Sequence, residues 1–169
     1  TSTTQNFNQI TENKYKKIYD IDECLKDFFF LTDEKLYRSN YETGIPQLIC
    51  TTQGENQVIS FDEDNVILWT KSSRNPVIKK GISTKEDEIL FTPKSSLQNV
   101  RLFNVGGKDY IVEIESNSEV SIYDFEKKSM KEVYSGTGIQ DAVLAQNGNL
   151  YVAKSAASNP QVPLLCVNP

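Results

Sequence analysis

Residues 142–154 read AVLAQNGNLYVAK, which is an apolar strand, a tight polar turn and a second apolar strand. The turn is centred on Asn147 and Gly148, two residue types that tolerate the positive φ angles of tight hairpin turns. An Asn-Gly pair between apolar strands is the strongest short-range sequence signal for a β-hairpin. The segment therefore predicts two antiparallel strands joined by this turn.

The same arrangement occurs three more times along the chain. The other copies are residues 27–38 (DFFFLTDEKLYR), 57–71 (QVISFDEDNVILWTK) and 110–125 (YIVEIESNSEVSIYDF). No segment carries sustained helical periodicity, and strands alternate with turns at intervals of roughly 8–12 residues. This pattern predicts an all-β fold, either a sandwich, a barrel or a propeller. Recurring hairpins also favour a protein that binds other molecules over one that transforms them.

Two segments need a choice between helix, strand and loop. Residues 14–21 (KYKKIYDI) are predicted to form a strand, and a short helix over 21–26 is the competing interpretation. Residues 83–88 (STKEDE) begin like a capped helix, but Pro93 intervenes before the apolar residues that would continue it. We therefore expect an exposed loop there, followed by a strand at 89–92.

Composition narrows the classes of function. The chain has 169 residues, of which 38% are hydrophobic and 24% charged, as in one soluble globular domain. The net charge of −5 argues against direct contact with nucleic acid, because such sites need clustered lysine and arginine. No apolar run approaches the ~20 residues of a membrane helix, and no signal-like start is present. We therefore expect neither a membrane nor a nucleic acid as partner.

Histidine is absent, which removes the usual general base near neutral pH and the commonest metal ligand. The three cysteines, Cys24, Cys50 and Cys166, form no C-x-x-C pair, so neither a zinc knuckle nor a redox motif is present. The odd cysteine count and the absence of an Asn-x-Ser/Thr sequon favour an intracellular protein, nuclear or cytoplasmic. The sequence implies no cofactor.

The C-terminal part of the chain carries the pattern of two consecutive sheet units. The strands of one unit are expected at Leu97–Val105, 110–115, 120–125 and 131–134, and those of the next at 140–145, 150–155 and 162–167. Tyr123-Asp124 matches the aromatic-Asp pair that often ends the third strand of a WD repeat, and Trp69-Thr70 matches it in part. The chain thus resembles a divergent β-propeller of the WD-repeat type, built from antiparallel four-stranded blades.

Two features depart from the WD pattern. The Gly-His pair of WD repeats is absent. The hairpin turns near positions 33, 63, 117 and 147 are 30, 54 and 30 residues apart, whereas WD repeats recur evenly at about 40–45 residues. A β-sandwich or a barrel therefore remains the alternative fold.

The resemblance also implies how the chain is organised. Residues 1–13 are expected to be a flexible tail, and residues 14–169 a partial propeller that is incomplete at its C-terminus, where 162–168 read as a strand. At about 40–45 residues per blade, the domain holds at most about four blades. Blades bury their faces against neighbouring blades, so missing blades would come from outside this sequence or from another chain. This implies a stable protein partner.

Two motifs resemble ligand sites. Residues 62–65 (DEDN) resemble the start of a calcium loop, but Val66 and Ile67 stand where such a loop needs a ligand and a glycine. We expect an acidic hairpin turn instead. Residues 136–138 (GTG) lack the third glycine and the following helix of a phosphate-binding loop. We expect a turn between blades at this position.

Glu113 and Glu115 lie on the same face of one strand and could in principle carry out acid–base chemistry. Val112 and Ile114 occupy the opposite face, which we expect to be buried. The two carboxylates are therefore expected on an exposed face. With Asp62 and its neighbours, they underlie the alternative function, a carboxylate-based hydrolase on a propeller or a barrel.

Six side chains are candidates for contact with a protein partner. They are Trp69, Arg74, Lys79, Lys80, Lys127 and Lys128. Tryptophan concentrates at interaction hot spots, although core packing is the competing interpretation of Trp69. The lysines form small basic patches that could meet an acidic partner, and solvated charges at turns are the competing interpretation.

The expected role is that of a non-enzymatic scaffold for protein–protein interaction, within a larger intracellular multiprotein assembly. Ribosome-biogenesis, nuclear-pore and vesicle-coat complexes are examples, by analogy of fold alone. Rigid blades would present the loops at 72–76, 83–88 and 155–161 to other protein subunits. The run Phe28–Phe30 places aromatic rings on both faces of one strand, which suggests cover on both sides by neighbouring blades or by a partner.

Overall fold

The computed structural model describes residues 18–24, 27–32, 35–52, 56–155 and 164–169. Every regular element within these ranges is a β-strand, and the strands form four separate antiparallel sheets. The all-β prediction is confirmed. The flexible tail expected at residues 1–13 lies outside the described residues, as does most of the loop expected at 155–161.

Each sheet is a meander in which consecutive strands are neighbours, and each sheet forms one blade. Blade 1 contains β1 (Asp20–Cys24), β2 (Asp27–Leu31), β3 (Lys35–Asn40) and β4 (Pro46–Thr51). Blade 2 contains β5 (Asn56–Ser60), β6 (Asn65–Thr70), β7 (Val77–Gly81) and β8 (Asp87–Phe91). Blade 3 contains β9 (Leu97–Val105), β10 (Lys108–Glu115), β11 (Glu119–Asp124) and β12 (Ser129–Ser135). Blade 4 has the three strands β13 (Ile139–Leu144), β14 (Leu150–Lys154) and β15 (Leu164–Val167).

The first strands of successive blades adjoin one another. β5 lies against β1 and β2 of the preceding blade, and β13 lies against β9 and β10. Sheets that stack side by side in this way, with their first strands together, form part of a β-propeller. The strands expected for blades 3 and 4 are all present, and their ends agree to within two residues.

Two segments differ from the local interpretations. The first half of the strand predicted at 14–21 lies outside the described residues, and residues 21–24 do not form the competing helix, because they belong to β1 and pair with β2, from Asp20 opposite Leu31 to Cys24 opposite Asp27. The exposed loop expected at 83–88 is shorter, because Asp87 and Glu88 already pair with β7 in the edge strand β8. In both segments, pairing with a neighbouring strand gives the backbone N–H and C=O groups their hydrogen-bond partners, and this outweighs local propensity.

The uneven turn spacing has a simple origin in this topology. The turns at 33 and 117 follow the second strand of their blades, whereas those at 63 and 147 follow the first strand. Turns at equivalent places in their blades, 33 with 117 and 63 with 147, lie 84 residues apart across two blades. The repeat is therefore 42 residues per blade. The spacing therefore agrees with the ~40–45 residues of a propeller blade.

Three hydrophobic cores join the four blades, and we name each by the blades it lies between. Core 1–2 contains Phe29, Leu31, Leu36, Ile49, Val58, Val66, Leu68 and Ile82. Core 2–3 contains Ile67, Trp69, Val77, Leu90, Leu97, Val100, Ile111 and Tyr123. Core 3–4 contains Val112, Ile114, Val120, Ile122, Ile139, Ala142, Leu144, Leu150 and Val152. Each valine, leucine, isoleucine or phenylalanine buried in these cores stabilises the fold by about 1.5–3 kcal/mol.

Strand β6 of blade 2 has four consecutive apolar residues, and the structure shows why. In β6, Val66 and Leu68 point into core 1–2, while Ile67 and Trp69 point into core 2–3. Successive side chains of a strand face opposite sides, so a strand between two blades needs apolar residues at every position. A run of four apolar residues thus indicates a strand that is covered on both faces, and the run Phe28–Leu31 of β2 in blade 1 is buried in the same way.

Candidate protein-interaction surfaces

The face of blade 1 that points away from core 1–2 carries an apolar row across all four strands. Ile21 lies opposite Phe30, Phe30 opposite Tyr37, and Tyr37 opposite Leu48. The rings of Phe30 and Tyr37 stack with centroids 5.1 Å apart. The two ends of the row are exposed, Ile21 by 60% and Leu48 by 49%. We call these four residues the blade 1 outer row.

Blade 4 also carries exposed apolar side chains on the face away from core 3–4. Val143 lies opposite Tyr151, which lies opposite Cys166. Leu164 lies opposite Ala153 and is one of the most exposed large apolar residues of the described chain. The two terminal blades thus each present an apolar face, whereas blades 2 and 3 have cores on both faces.

Two of the six predicted contact residues are buried, so the structure removes them from the candidate surface. Trp69 is only 6% exposed and packs in core 2–3, as the competing interpretation has it. Lys80 is 8% exposed, and its Nζ lies 2.6 Å from Oδ1 of Asp87. Asp87 stands directly opposite Lys80 in the β7–β8 ladder, and this pairing lets the ammonium group be covered.

The other four predicted residues are accessible but do not form one patch. Lys79 is partly covered and pairs with Glu88, with 3.5 Å between Nζ and Oε2. Arg74 is exposed in the β6–β7 connection. Lys127 and Lys128 lie in the β11–β12 turn, which the meander places at the opposite end of the blades from Arg74. A shared residue type therefore did not indicate a shared surface.

Glu113 and Glu115 are buried, so the expectation of an exposed face is wrong. Each is 2% exposed. The carboxylate of Glu115 accepts hydrogen bonds from the backbone N–H groups of Lys94 and Ser95, at 3.2 and 2.5 Å, and from Oγ of Ser95 at 2.7 Å. It therefore holds the connection between blades 2 and 3. β10 belongs to an internal blade, so both of its faces are covered. The face that carries Glu113 and Glu115, which we expected in solvent, packs against blade 2.

Burial, followed by the nearby Glu115 carboxylate, raises the pKa of Glu113 to about 8. Oε2 of Glu113 has no hydrogen-bond partner among the described residues. A raised pKa can mark a catalytic acid, but a substrate would have to reach this carboxyl, and at 2% exposure it does not. The geometry assigns the pair to the packing between blades 2 and 3.

The remaining motifs occupy turns. Oδ1 of Asp62 accepts hydrogen bonds from the backbone N–H of Asp64 and from Nδ2 of Asn65, both at 2.8 Å, which is a self-contained turn. Gly136 donates its N–H to the carbonyl of Ser118 at 2.8 Å, and the strand β13 follows. Among the described residues, no group of three or more acidic, cysteine or histidine side chains could hold a metal ion. The described chain also has no helix of the length and hydrophobicity that a membrane crossing requires.

Solved structures confirm the class of fold. The WD40 domain of SCAP from fission yeast is 14% identical over 86% of this chain and 39% of its own, with a TM-score of 0.61. The N-terminal domain of Nup159 is 17% identical over 83% of this chain and 41% of its own, with a TM-score of 0.52. An extracellular domain from B. thetaiotaomicron is 13% identical over 92% of this chain and 23% of its own, with a TM-score of 0.61. No protein-family model and no curated protein matches the sequence.

Within the described residues the chain therefore has the fold of a partial β-propeller, with three four-stranded blades and one three-stranded blade. It spans less than half the length of each of these structures. The blade 1 outer row was not found from sequence, although the aromatic run Phe28–Phe30 pointed to cover on both faces of β2. The missing information was the register that aligns this strand with Ile21 and Leu48.

Proposed function

We propose that this chain is a non-enzymatic protein–protein interaction module that works as a subunit of a larger intracellular assembly. The observation that carries the proposal is the blade 1 outer row. Its two ends, Ile21 and Leu48, are exposed apolar side chains of one sheet face, while Phe30 between them is 3% exposed, and exposed apolar surface of this kind marks an interaction site. Another protein surface that covers the two ends would remove their apolar area from water at about 25 cal/mol per Å².

The type of partner follows from the chemistry of the row. The row is aliphatic and aromatic, and the salt bridge between Arg38 and Asp27 lies on the other face of the sheet, where the guanidinium of Arg38 stands over the Phe29 ring. The row therefore suits a partner protein with a complementary apolar face, and neither a membrane nor a nucleic acid. The intracellular setting, nuclear or cytoplasmic, rests on the odd cysteine count and the absence of an Asn-x-Ser/Thr sequon. Nuclear-pore, ribosome-biogenesis and vesicle-coat assemblies are the classes to examine first.

The alternative, a carboxylate-based hydrolase, receives no support from the site geometry. Asp62 and Asp64 lie in an exposed turn, and Glu113 and Glu115 are buried between blades. Neither pair faces a cavity that a substrate could enter. We therefore do not propose an enzymatic activity.

The experiment compares the native size of the tagged protein in extracts of its own cells with that of two variants. The double variant Ile21→Lys/Leu48→Lys places charges at both exposed ends of the blade 1 outer row. Ile89→Lys makes the same kind of change at an exposed residue of β8, outside that row. We expect the wild type and Ile89→Lys to elute with a large assembly, and the double variant to elute alone.

Circular dichroism of the purified variants checks that each one is folded, since all three positions are exposed. The proposal is wrong if the wild type elutes at the mass of a free monomer. It is also wrong if the folded double variant stays in the assembly, because the row would then not be the contact surface.

A further inference from the structure

A groove of about 450 Å³ lies between blades 3 and 4, where the β11–β12 turn approaches the β13–β14 turn. Its walls combine apolar and charged side chains. The apolar part consists of Val105, Tyr110, Ile122, Val133 and Leu144, and the charged part of Asp124, Lys127 and Lys131. The apolar residues belong to core 3–4 or pack against it, so the groove is a place where that core reaches the surface.

The charge of the groove is positive. Lys131 is exposed, and among the described residues it has no ion pair and no side-chain hydrogen bond. Lys127 is 77% exposed, with its Nζ 3.4 Å from Oδ2 of Asp124. Oδ1 of Asp124 already accepts the backbone N–H groups of Glu126 and Lys127, at 2.9 and 3.0 Å. The groove thus has two ammonium groups and one carboxylate, and that carboxylate already accepts two hydrogen bonds within its own turn. The groove is therefore positive although the net charge of the chain is −5.

The neighbouring Lys128 takes no part in this groove. Its Nζ lies 2.8 Å from Oε1 of Glu88 on β8, on the side of blade 2. The basic pair at 127–128 is therefore divided, with one lysine toward blade 4 and the other toward blade 2. Lys128 provides a control of the same residue type, one position away in sequence.

We infer that this groove binds a short segment of a partner protein in which acidic residues flank apolar ones. The inference rests on the proposed function and names a partner chemistry at a second surface, distinct from the blade 1 outer row. Apolar side chains of the segment would cover Ile122, Val133 and Tyr110, which is the contact that removes apolar area from water. Carboxylates at either side would pair with Lys127 and Lys131 in charge-assisted hydrogen bonds.

The test measures binding of fluorescein-labelled hexapeptides to the purified chain by fluorescence anisotropy. The probe has the sequence Asp-Glu-Leu-Leu-Glu-Asp. One control peptide replaces its acids by the amides, Asn-Gln-Leu-Leu-Gln-Asn, and the other replaces both leucines by serine. We expect saturable binding of the probe only, weakened by added salt because the lysines at the rim are exposed.

The protein variants distinguish the lysines of the groove, Lys127 and Lys131, from Lys128, which lies on the side of blade 2. We expect Lys127→Gln/Lys131→Gln to weaken binding by about tenfold, and Lys128→Gln to change it by less than about twofold. The inference is overturned if the probe does not bind, if Lys128→Gln weakens binding as much as the double variant, or if the serine peptide binds as well as the probe. In the last case charge alone would account for the attraction.

The two proposals fail independently. Ile21→Lys/Leu48→Lys should leave peptide binding unchanged, because blade 1 lies away from the groove. Loss of peptide binding with an intact large assembly would overturn this inference alone, and the reverse result would overturn the proposed function alone.

Discussion

Glu113 shows how one residue of this chain couples folding to pH. Its carboxyl is buried beside Glu115, and its pKa is raised from 4.5 to about 8. Between these values the folded protein holds a proton that the unfolded chain releases. Stability from this residue is fully present below pH 4.5 and is lost as the pH rises through about 8.

We therefore expect Glu113→Gln to stabilise the protein at alkaline pH. Glutamine keeps the shape and the ability to donate to Glu115, but it cannot ionise. The free energy of unfolding should rise by about 4 kcal/mol at pH 8 and by less than about 1 kcal/mol at pH 5. Urea denaturation at the two pH values measures this difference.

Glu63→Gln is the control, because the same chemical change is made in an exposed turn. It should leave the pH dependence of stability as it is in the wild type. An unchanged slope in Glu113→Gln would show that Glu113 is already ionised in the folded protein at neutral pH.

At the scale of single elements, two of the hairpins have turns with different backbone conformations. In the β10–β11 turn, Ser116 and Asn117 both have positive φ angles, of 47° and 53°, and Ser118 donates its N–H to the carbonyl of Glu115 at 2.9 Å. This is the geometry of a type I′ turn. In the β13–β14 turn, Gly148 has a φ of 83°, and Asn147 does not have a positive φ. The Asn-Gly signal correctly located the hairpin but not the conformation of Asn147.

The left-handed conformation of Gly148 leads to a prediction for this hairpin. Gly148→Ala should destabilise the protein by about 1 kcal/mol, because a Cβ is unfavourable at this φ although the space around it is open. Gly148→Asn should cost less, since asparagine visits this region more readily. Thermal unfolding of both variants measures the difference, and equal losses would mean that side-chain contacts, not backbone strain, set the cost.

At the scale of the whole molecule, the stack of blades has two internal and two terminal members. Blades 2 and 3 have cores on both faces, while blades 1 and 4 each have an apolar face outside the three cores. In stacked arrays, stability depends on the interfaces between neighbours. A blade that is buried on both faces should therefore have a higher free energy of local unfolding than a blade buried on one face.

We therefore expect amide hydrogen exchange to be slowest in β6, β10 and β11 and fastest in β4 and β15. The first three strands lie inside the sheets of the internal blades, and the last two are edge strands of the terminal blades. Exchange followed by mass spectrometry resolves these segments. Uniform protection across all four blades would show instead that the array opens as one cooperative unit.

Local patterns were sufficient to predict the strands but not their surroundings. The strands of blade 3 could be placed from sequence because Gly106-Gly107 and residues 116–118 interrupt three apolar runs. The alternation in β10 correctly assigned Val112 and Ile114 to a core but put Glu113 in solvent. Alternation tells which residues share a face, and it carries no information about what covers that face.

The candidate surfaces were the least predictable part of the molecule. Arg74 and Lys127 were grouped by residue type, yet a meander places their turns at opposite ends of the blades. The blade 1 outer row depends on the register of four strands, in which Ile21 and Leu48 are aligned through Phe30 and Tyr37. Register is a property of pairing between segments, so none of them predicts it alone.

The sequence by itself determined the all-β class and the hairpins, because turn residues and apolar periodicity act over a few neighbouring residues. Only the tertiary structure decided which faces are covered. It buried Trp69, Lys80 and Glu113, left Ile21 and Leu48 exposed, and divided Lys127 from Lys128 between two blade interfaces. The physical reason is that burial, and the pairing of Lys128 with Glu88, depend on contacts between blades some 40 residues apart in the chain, which local patterns do not encode.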